Sequence, residues 1–243
     1  MIDVVILCGG EANRMKKLKL FVPKILYMFS GMYLFENILN SLKKIAFNSV
    51  IFVCNKKNHN IIKKTINKKL PKSNSVKFIN ENYKMGTGGH IFHNRKDLSE
   101  DVLVIFGDLI IKFDINIAYK NFKKNNLDCL IFVQNNGHFF DSDLIQKKKN
   151  ETLILHKKPH KYKNFSKNIF AIEPIIFIKK KLLDKFDIEN KNIDFIHHII
   201  FEILKKRDSK VDVFNFDEYK NYQNYIVDCG IPERYLLMKS IFG

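Results

Sequence analysis

Tryptophan is absent from this sequence, and glycine and proline are scarce, at 10 and 5 of 243 residues. The residues in excess are Lys, Asn, Ile and Phe, all written by A/T-rich codons. That bias also generates much of the net charge of +17. Basicity alone would suggest nucleic acid. However, the lysines are scattered over Lys16–Lys19, Lys56–Lys72, Lys147–Lys163 and Lys179–Lys185, and no zinc finger, RNP motif or basic zipper accompanies them. An anionic small substrate is the expectation, with no specific nucleic-acid partner.

Four cysteines, Cys8, Cys54, Cys129 and Cys229, stand apart with no CxxC pair and no histidine at metal spacing. This argues against a zinc site and a disulfide framework, and the cysteines are read as small packing residues. No apolar run reaches the ~18 residues of a membrane span. The first residues carry Asp3 and enter a strand directly, without the basic and apolar regions of a leader. The expectation is a cytoplasmic protein with no membrane partner. No internal repeat and no flexible linker interrupt the chain.

What is present alternates in the manner of an α/β protein. Asp3–Leu7 reads as a strand buried on both faces, Leu34–Ile45 as a helix, Ser49–Val53 as a strand, His59–Leu70 as a helix and Val76–Ile79 as a strand. Gly86–Gly89 reads as a loop leading into a helix at His90–Leu98, followed by strand Asp101–Phe106, helix Ile115–Asn125 and strand Asp128–Val133. Beyond these come short strands at Asp143–Gln146, Thr152–His156 and Ile175–Ile178, then helices at Lys181–Phe186 and Asp194–Lys206. Strands at Val211–Phe216 and Asn224–Val227 and a helix at Pro232–Ile241 close the pattern. The expected architecture is a single domain, with a nucleotide-binding half over 1–135 and a substrate-binding half over 136–243 fused in one sheet.

The chemistry starts at Leu7-Cys8-Gly9-Gly10-Glu11-Ala12-Asn13-Arg14. Glycines directly after a buried strand put backbone N–H groups where a polyphosphate can sit, and Arg14 adds a forked donor. Pro23 fixes the chain ahead of Lys24, a mobile point charge. Alone, the same pattern also describes a tight turn with incidental surface bases. Asp108, just past strand Asp101–Phe106, faces the crevice in which α/β sheets bind ligands, and Gly107 keeps the approach open. Asp228 follows a second strand and precedes Gly230. Each Asp by itself also suits a turn or cap. As a pair they are natural ligands for Mg²⁺, which takes oxygens and keeps its bond to substrate phosphates.

These motifs, in this order, resemble the sugar-1-phosphate nucleotidyltransferases, whose signature is written GGxGTRLxPLTxxxPKxLxPVxGKP. Gly9 to Met15 fill its first block, Pro23-Lys24 fall at the family spacing, Gly31 matches the later glycine, and Leu34-Phe35-Glu36 match the following helix. Gly86-Thr87-Gly88-Gly89 is similar to the base-contacting loop, Phe106-Gly107-Asp108 to the metal-binding GD, and Lys157-Lys158-Pro159 to E-K-P. Val227 to Glu233 resembles D-x-G-T-P-E. GTGG and His138 to Leu144 are similar to guanylyltransferases acting on heptose or mannose 1-phosphate in capsule and lipopolysaccharide synthesis.

The resemblance implies a Rossmann-like, mixed but mainly parallel sheet flanked by helices. It implies Mg²⁺-dependent transfer of a nucleoside monophosphate from an NTP to a sugar 1-phosphate, with GTP favoured and CTP the alternative. Arg14 and Lys24 would act on the phosphates. Leu7, Gly9, Gly10, Glu11, Ala12, Asn13 and Gly86 to Gly89 would hold the nucleotide. Asp108 and Asp228 would hold the metal, and Gly107, Lys158 and Glu173, at the head of strand Ile175–Ile178, the acceptor. A cytidylyltransferase with another phosphorylated acceptor, a non-catalytic homologue, and pairing as a homodimer are further readings. The chain departs from the signature at Ala12 for glycine, Asn13 for threonine, Met15 for leucine, Lys17-Leu18-Lys19 for the PLT block and Lys157 for the acid of E-K-P. Pro174 stands where a glycine precedes the sugar-site strand. His197-His198 and Tyr219, Tyr222 and Tyr225 are read as packing and surface residues.

Overall fold

The computed structural model describes residues 1–10, 12–70, 75–81, 85–135, 139–160, 168–186 and 192–243. Glu11 and His138 lie outside them. In chain order the elements are β1 (Ile2–Leu7), β2 (Met28–Phe29), β3 (Met32–Tyr33), α1 (Leu34–Ser41), β4 (Phe47–Asn55), α2 (His59–Lys69) and β5 (Val76–Glu81). Next come α3 (Gly86–His93), β6 (Asp101–Phe106), β7 (Leu109–Lys112), α4 (Asn116–Lys124), β8 (Cys129–Gln134), β9 (Leu144–Lys147), β10 (Leu153–His156) and β11 (Ile169–Lys179). The last are α5 (Lys180–Asp184), α6 (Phe201–Lys206), β12 (Val211–Asn215), β13 (Tyr225–Asp228) and α7 (Pro232–Phe242). The α/β class and the mixed sheet flanked by helices agree with expectation.

Two compact units divide these elements: Met1–Lys84, Val104–Ile117 and Asn221–Gly243 form one, and Met85–Leu103 with Ala118–Lys220 the other. In the first unit the end of β6 from Val104 onward, β1, β4 and β5 lie side by side, with β1–β4 and β4–β5 parallel. Ile2 to Ile6 of β1 are buried, as a strand covered on both faces must be. That includes Asp3, whose carboxylate accepts from Ser49 Oγ at 2.6 Å. Helix α1 starts where Glu36 accepts the Tyr33 N–H at 2.9 Å, and it buries Leu34, Phe35 and Ile38. Between β2 and β3, Ser30 and Gly31 both take positive φ, 48° and 75°. Such a two-residue turn matches the twist of a tight hairpin.

In the second unit β11 pairs antiparallel with both β8 and β9, β9 with β10 antiparallel, and β8 with β12 parallel. Strand β11 runs eleven residues, well beyond the expected Ile175–Ile178. Pro174 sits inside it, at a register shift between Ile172 and Ile176, where no ladder N–H is required. Glu173 is therefore in mid-strand and not at a strand head. A further correction concerns Gly86–Gly89, which forms the first turn of α3 and not a loop. Glycine is a weak helix former, but here packing decides. A Cβ on Gly88 would stand 3.0 Å from both Ile193 Cγ2 and Ile199 Cδ1, so glycine lets the helix approach without displacing them. The expected helix over Asp194–Lys206 is a π-helical turn, Phe195–Ile200, continued by α6.

Candidate active site

At the carboxyl end of β1 the backbone is held from two sides. Gly107 donates its N–H to Leu7 O at 2.9 Å, and Asn55 Nδ2 donates to Gly9 O at 2.9 Å. A Cβ on Gly107 would stand 3.0 Å from Leu7 O and 3.3 Å from Cys8 Sγ, so the glycine lets the ends of β6 and β1 meet. Gly10 has open space around it. Ala12 adopts φ 50° and ψ 30°, the left-handed conformation that glycine supplies without strain. Asn13 and Arg14 open the 3-10 turn Asn13–Leu18, and both are exposed.

Lys24 opens a second 3-10 turn, Lys24–Leu26, and its Nζ lies 3.0 Å from Asp108 Oδ2. Asp228 reaches the same place through β7, an element missing from the sequence reading. Strand β13 pairs antiparallel with β7, setting Asp228 opposite Leu109, and Cys229 N–H donates to Asp108 O at 2.8 Å. The three charged groups surround one backbone point. A Cβ on Gly230 would meet Asp108 Oδ2 and Asp228 Oδ1 at 2.7 Å each and Lys24 Nζ at 2.9 Å. Burial, and then the charge of Asp108, push the Asp228 carboxyl above the usual carboxylate range.

Arg234, Glu81 and Asn55, which the sequence reading passed over, belong to this arrangement. Arg234, in the first turn of α7, places Nη2 2.6 Å from Asp228 Oδ2 and Nε 2.8 Å from Asp228 O. Gly230 N–H donates to Asp228 Oδ1. Glu81 ends β5 with its Oε2 against the Cα of Gly9, 2.5 Å from where a Cβ would be. Burial raises its pKa. Both charged residues carried a signal: an acid closing a strand, and an arginine two residues beyond the proline that starts α7. Asn55 carried none. Tyr27, with 2% of its surface exposed, is pushed up to about 12 by burial, then by Tyr235 and Asp108.

The remaining expected residues lie in the second unit. Gly86 takes φ +73° against the backbone of Ile193, whose carbonyl accepts the Gly88 N–H at 2.7 Å. Thr87 Oγ1 accepts the Phe195 N–H at 2.8 Å. Gly89 is buried. Lys158 follows β10, its side chain 47% exposed. Glu173 is buried and accepts from Gln134 Nε2 at 2.6 Å. The four cysteines are all buried, and no group of three or more His, Cys, Asp or Glu able to hold a metal occurs among the described residues. No helix among them is long and apolar enough to cross a membrane.

Known proteins share sequence and fold with this chain. A D-glycero-alpha-D-manno-heptose 1-phosphate guanylyltransferase of Campylobacter jejuni is 25% identical over 236 residues, 96% of each chain. The bifunctional protein GlmU of Methanococcus aeolicus is 29% identical over 178 residues; these are 72% of this chain but 41% of that protein, so the match spans under half of its length. Among solved structures, HddC of Yersinia pseudotuberculosis superposes with a TM-score of 0.73 at 24% identity over all of both chains, which shows a shared fold. The family model described as nucleotidyl transferase matches residues 3–235, and the chain belongs to that family.

Proposed function

We propose that this protein transfers a nucleoside monophosphate from an NTP, GTP in preference, to a sugar 1-phosphate of the heptose or mannose type, releasing pyrophosphate. The observation that carries this reading is the convergence of Lys24, Asp108 and Asp228 on Gly230. An acceptor phosphate is ionised at neutral pH, so the attack needs no general base. The difficulty is electrostatic, and catalysis is positioning and charge neutralisation.

Asp108 and Asp228 are the residues that would hold Mg²⁺. The donors fit that ion: two hard carboxylates, with burial keeping the neighbouring Cys8 and Cys229 protonated and out of the donor set. Held by these two carboxylates, Mg²⁺ would supply charge neutralisation to the phosphates. Lys24, already among the carboxylates, turns toward the α-phosphate and the incoming phosphate. Arg14, exposed in the 3-10 turn just beyond Ala12, takes the departing β and γ phosphates. Lys158 anchors the acceptor phosphate.

The preference for guanine rests on the likeness of Gly86-Thr87-Gly88-Gly89 to the base-contacting loop of guanylyltransferases. The guanylyltransferase name of the Campylobacter jejuni relative and the solved complex of HddC with GMP-PN point the same way. The reaction belongs in the cytoplasm, where its triphosphate donor is available.

The test is a screen crossing ATP, GTP, CTP and UTP with α-D-mannose 1-phosphate, a heptose 1-phosphate and other phosphorylated acceptors, read as pyrophosphate release with and without Mg²⁺. GTP with a sugar 1-phosphate should give the largest release, and only with Mg²⁺. Release with CTP alone would overturn the guanine reading. Nucleotide binding without release under any pairing would overturn the enzyme reading.

A further inference from the structure

Two lysines follow β10, and they are held differently. Lys157 lays its ammonium over the ring of Phe201, 3.7 Å from the centroid. Lys158 donates its backbone N–H to Asp143 Oδ1 at 2.9 Å, while its ammonium stands 4.0 Å from Asp143 Oδ2. That separation is too long for a hydrogen bond. Asp143 thus fixes the Lys158 backbone and steers its charge without consuming it.

Asp143 is in turn held by His197. Its side chain is only 11% exposed, and His197 Nε2 lies 2.7 Å from Oδ1. A carboxylate only accepts, so Nε2 carries the proton. The imidazole is aimed by its own backbone. His197 sits in the π-helical turn Phe195–Ile200, and its N–H donates to Asp194 Oδ1 at 2.8 Å. His198 completes the cap, its Nδ1 accepting the Asp194 N–H at 2.8 Å. This short wide turn is of the kind that recurs at functional sites.

We propose that His197, acting through Asp143, is a positioning residue that sets Lys158 for the phosphate of the acceptor. The inference rests on the reading of Lys158 as the acceptor's anchor. Without the imidazole, Lys158 is the partner left to the Asp143 carboxylate among the described residues. Its carboxylate then turns onto the ammonium and withdraws it from an incoming phosphate.

The experiment measures binding by calorimetry with two probes: α-D-mannose 1-phosphate, and inorganic phosphate, which ignores the identity of the sugar. His197→Leu should weaken both about tenfold, the scale of one charge-assisted hydrogen bond. His197→Gln, whose amide Nε2 still donates to Asp143, should bind as the wild type does. A purely structural role predicts otherwise, with both variants losing thermal stability and neither losing affinity. His197→Leu binding both probes normally, or His197→Gln failing to rescue, overturns the proposal. Lys158→Ala separates it from the reading beneath it. Normal binding by that variant, or no binding by the wild type, overturns the role of Lys158 itself. Weakened binding by Lys158→Ala with normal binding by His197→Leu removes only the positioning pair.

Discussion

Lys24 Nζ and Asp108 Oδ2 lie 3.0 Å apart, with the two side chains 22% and 23% exposed, and Asp228 is gathered at the same glycine. The ammonium keeps two neighbouring carboxylates from facing each other uncompensated. Lys24→Ala, Asp108→Asn and Asp228→Asn should each cut turnover about a hundredfold or more, the scale of losing one preorganised charge partner. Circular dichroism should show intact folds. Near-normal turnover in both aspartate variants would refute their placement in the reaction.

Gly230 is a sharper probe, because substitution there removes no functional group. An alanine Cβ would intrude on Asp108, Asp228 and Lys24 together. Gly230→Ala should therefore lower pyrophosphate release and its response to Mg²⁺ while the melting temperature stays within a few degrees. Wild-type kinetics would mean that the three groups do not act from these positions.

Ala12 holds φ 50° in the turn that follows β1. A left-handed alanine costs about 1–2 kcal/mol, and glycine returns about 0.4–1 kcal/mol of that through the entropy of the unfolded chain. Ala12→Gly should stabilise the protein by about 0.5–1 kcal/mol, a rise of about 1–4 °C in Tm. Ala12→Val, β-branched in the same conformation, should lower it. A fall in Tm for the glycine variant would contradict the left-handed turn.

Asp128 gives the pH dependence. Burial alone would raise its pKa, but the Lys181 ammonium at 2.6 Å, the Lys210 N–H and Lys179 overcome it, and its pKa lies below the ordinary value. The folded state thus favours the ionised form. Its stabilisation is present above the unfolded value of about 3.9 and is lost as pH falls through the lower, folded value. Asp128→Asn should cost about 1–2 kcal/mol at pH 7, and the gap to wild type should close in acid. Melting curves at pH 7 and near pH 2 check this; an unchanged gap would exclude the ionised carboxylate as its source.

Many of the regular elements were legible because each carries its own period. Ile2 to Ile6 form an unbroken apolar run, and Ala118 and Phe122 or Ile62 and Ile66 recur four apart on one helix face. Gly86–Gly89 misled because composition argues for a loop, while the contact with Ile193 and Ile199 makes the same glycines the condition for a helix. Pro174 misled in a similar way. Its missing N–H breaks a ladder only where the ladder needs it, and the register shift in β11 removes that need.

By itself the sequence determined the α/β alternation, the family and the identity of the charged residues, since these depend on local periodicity and on motifs short enough to read in order. Tertiary structure alone decided their partners. Asp108 and Asp228 meet because β13 pairs with β7, a four-residue strand too short to announce itself. Arg234 reaches Asp228 because α7 starts just beyond it, and His197 reaches Asp143 across 54 residues. Ala12 takes the glycine's conformation at the start of the 3-10 turn Asn13–Leu18. Pairing between distant segments is a property of packing and leaves no periodic trace in the chain.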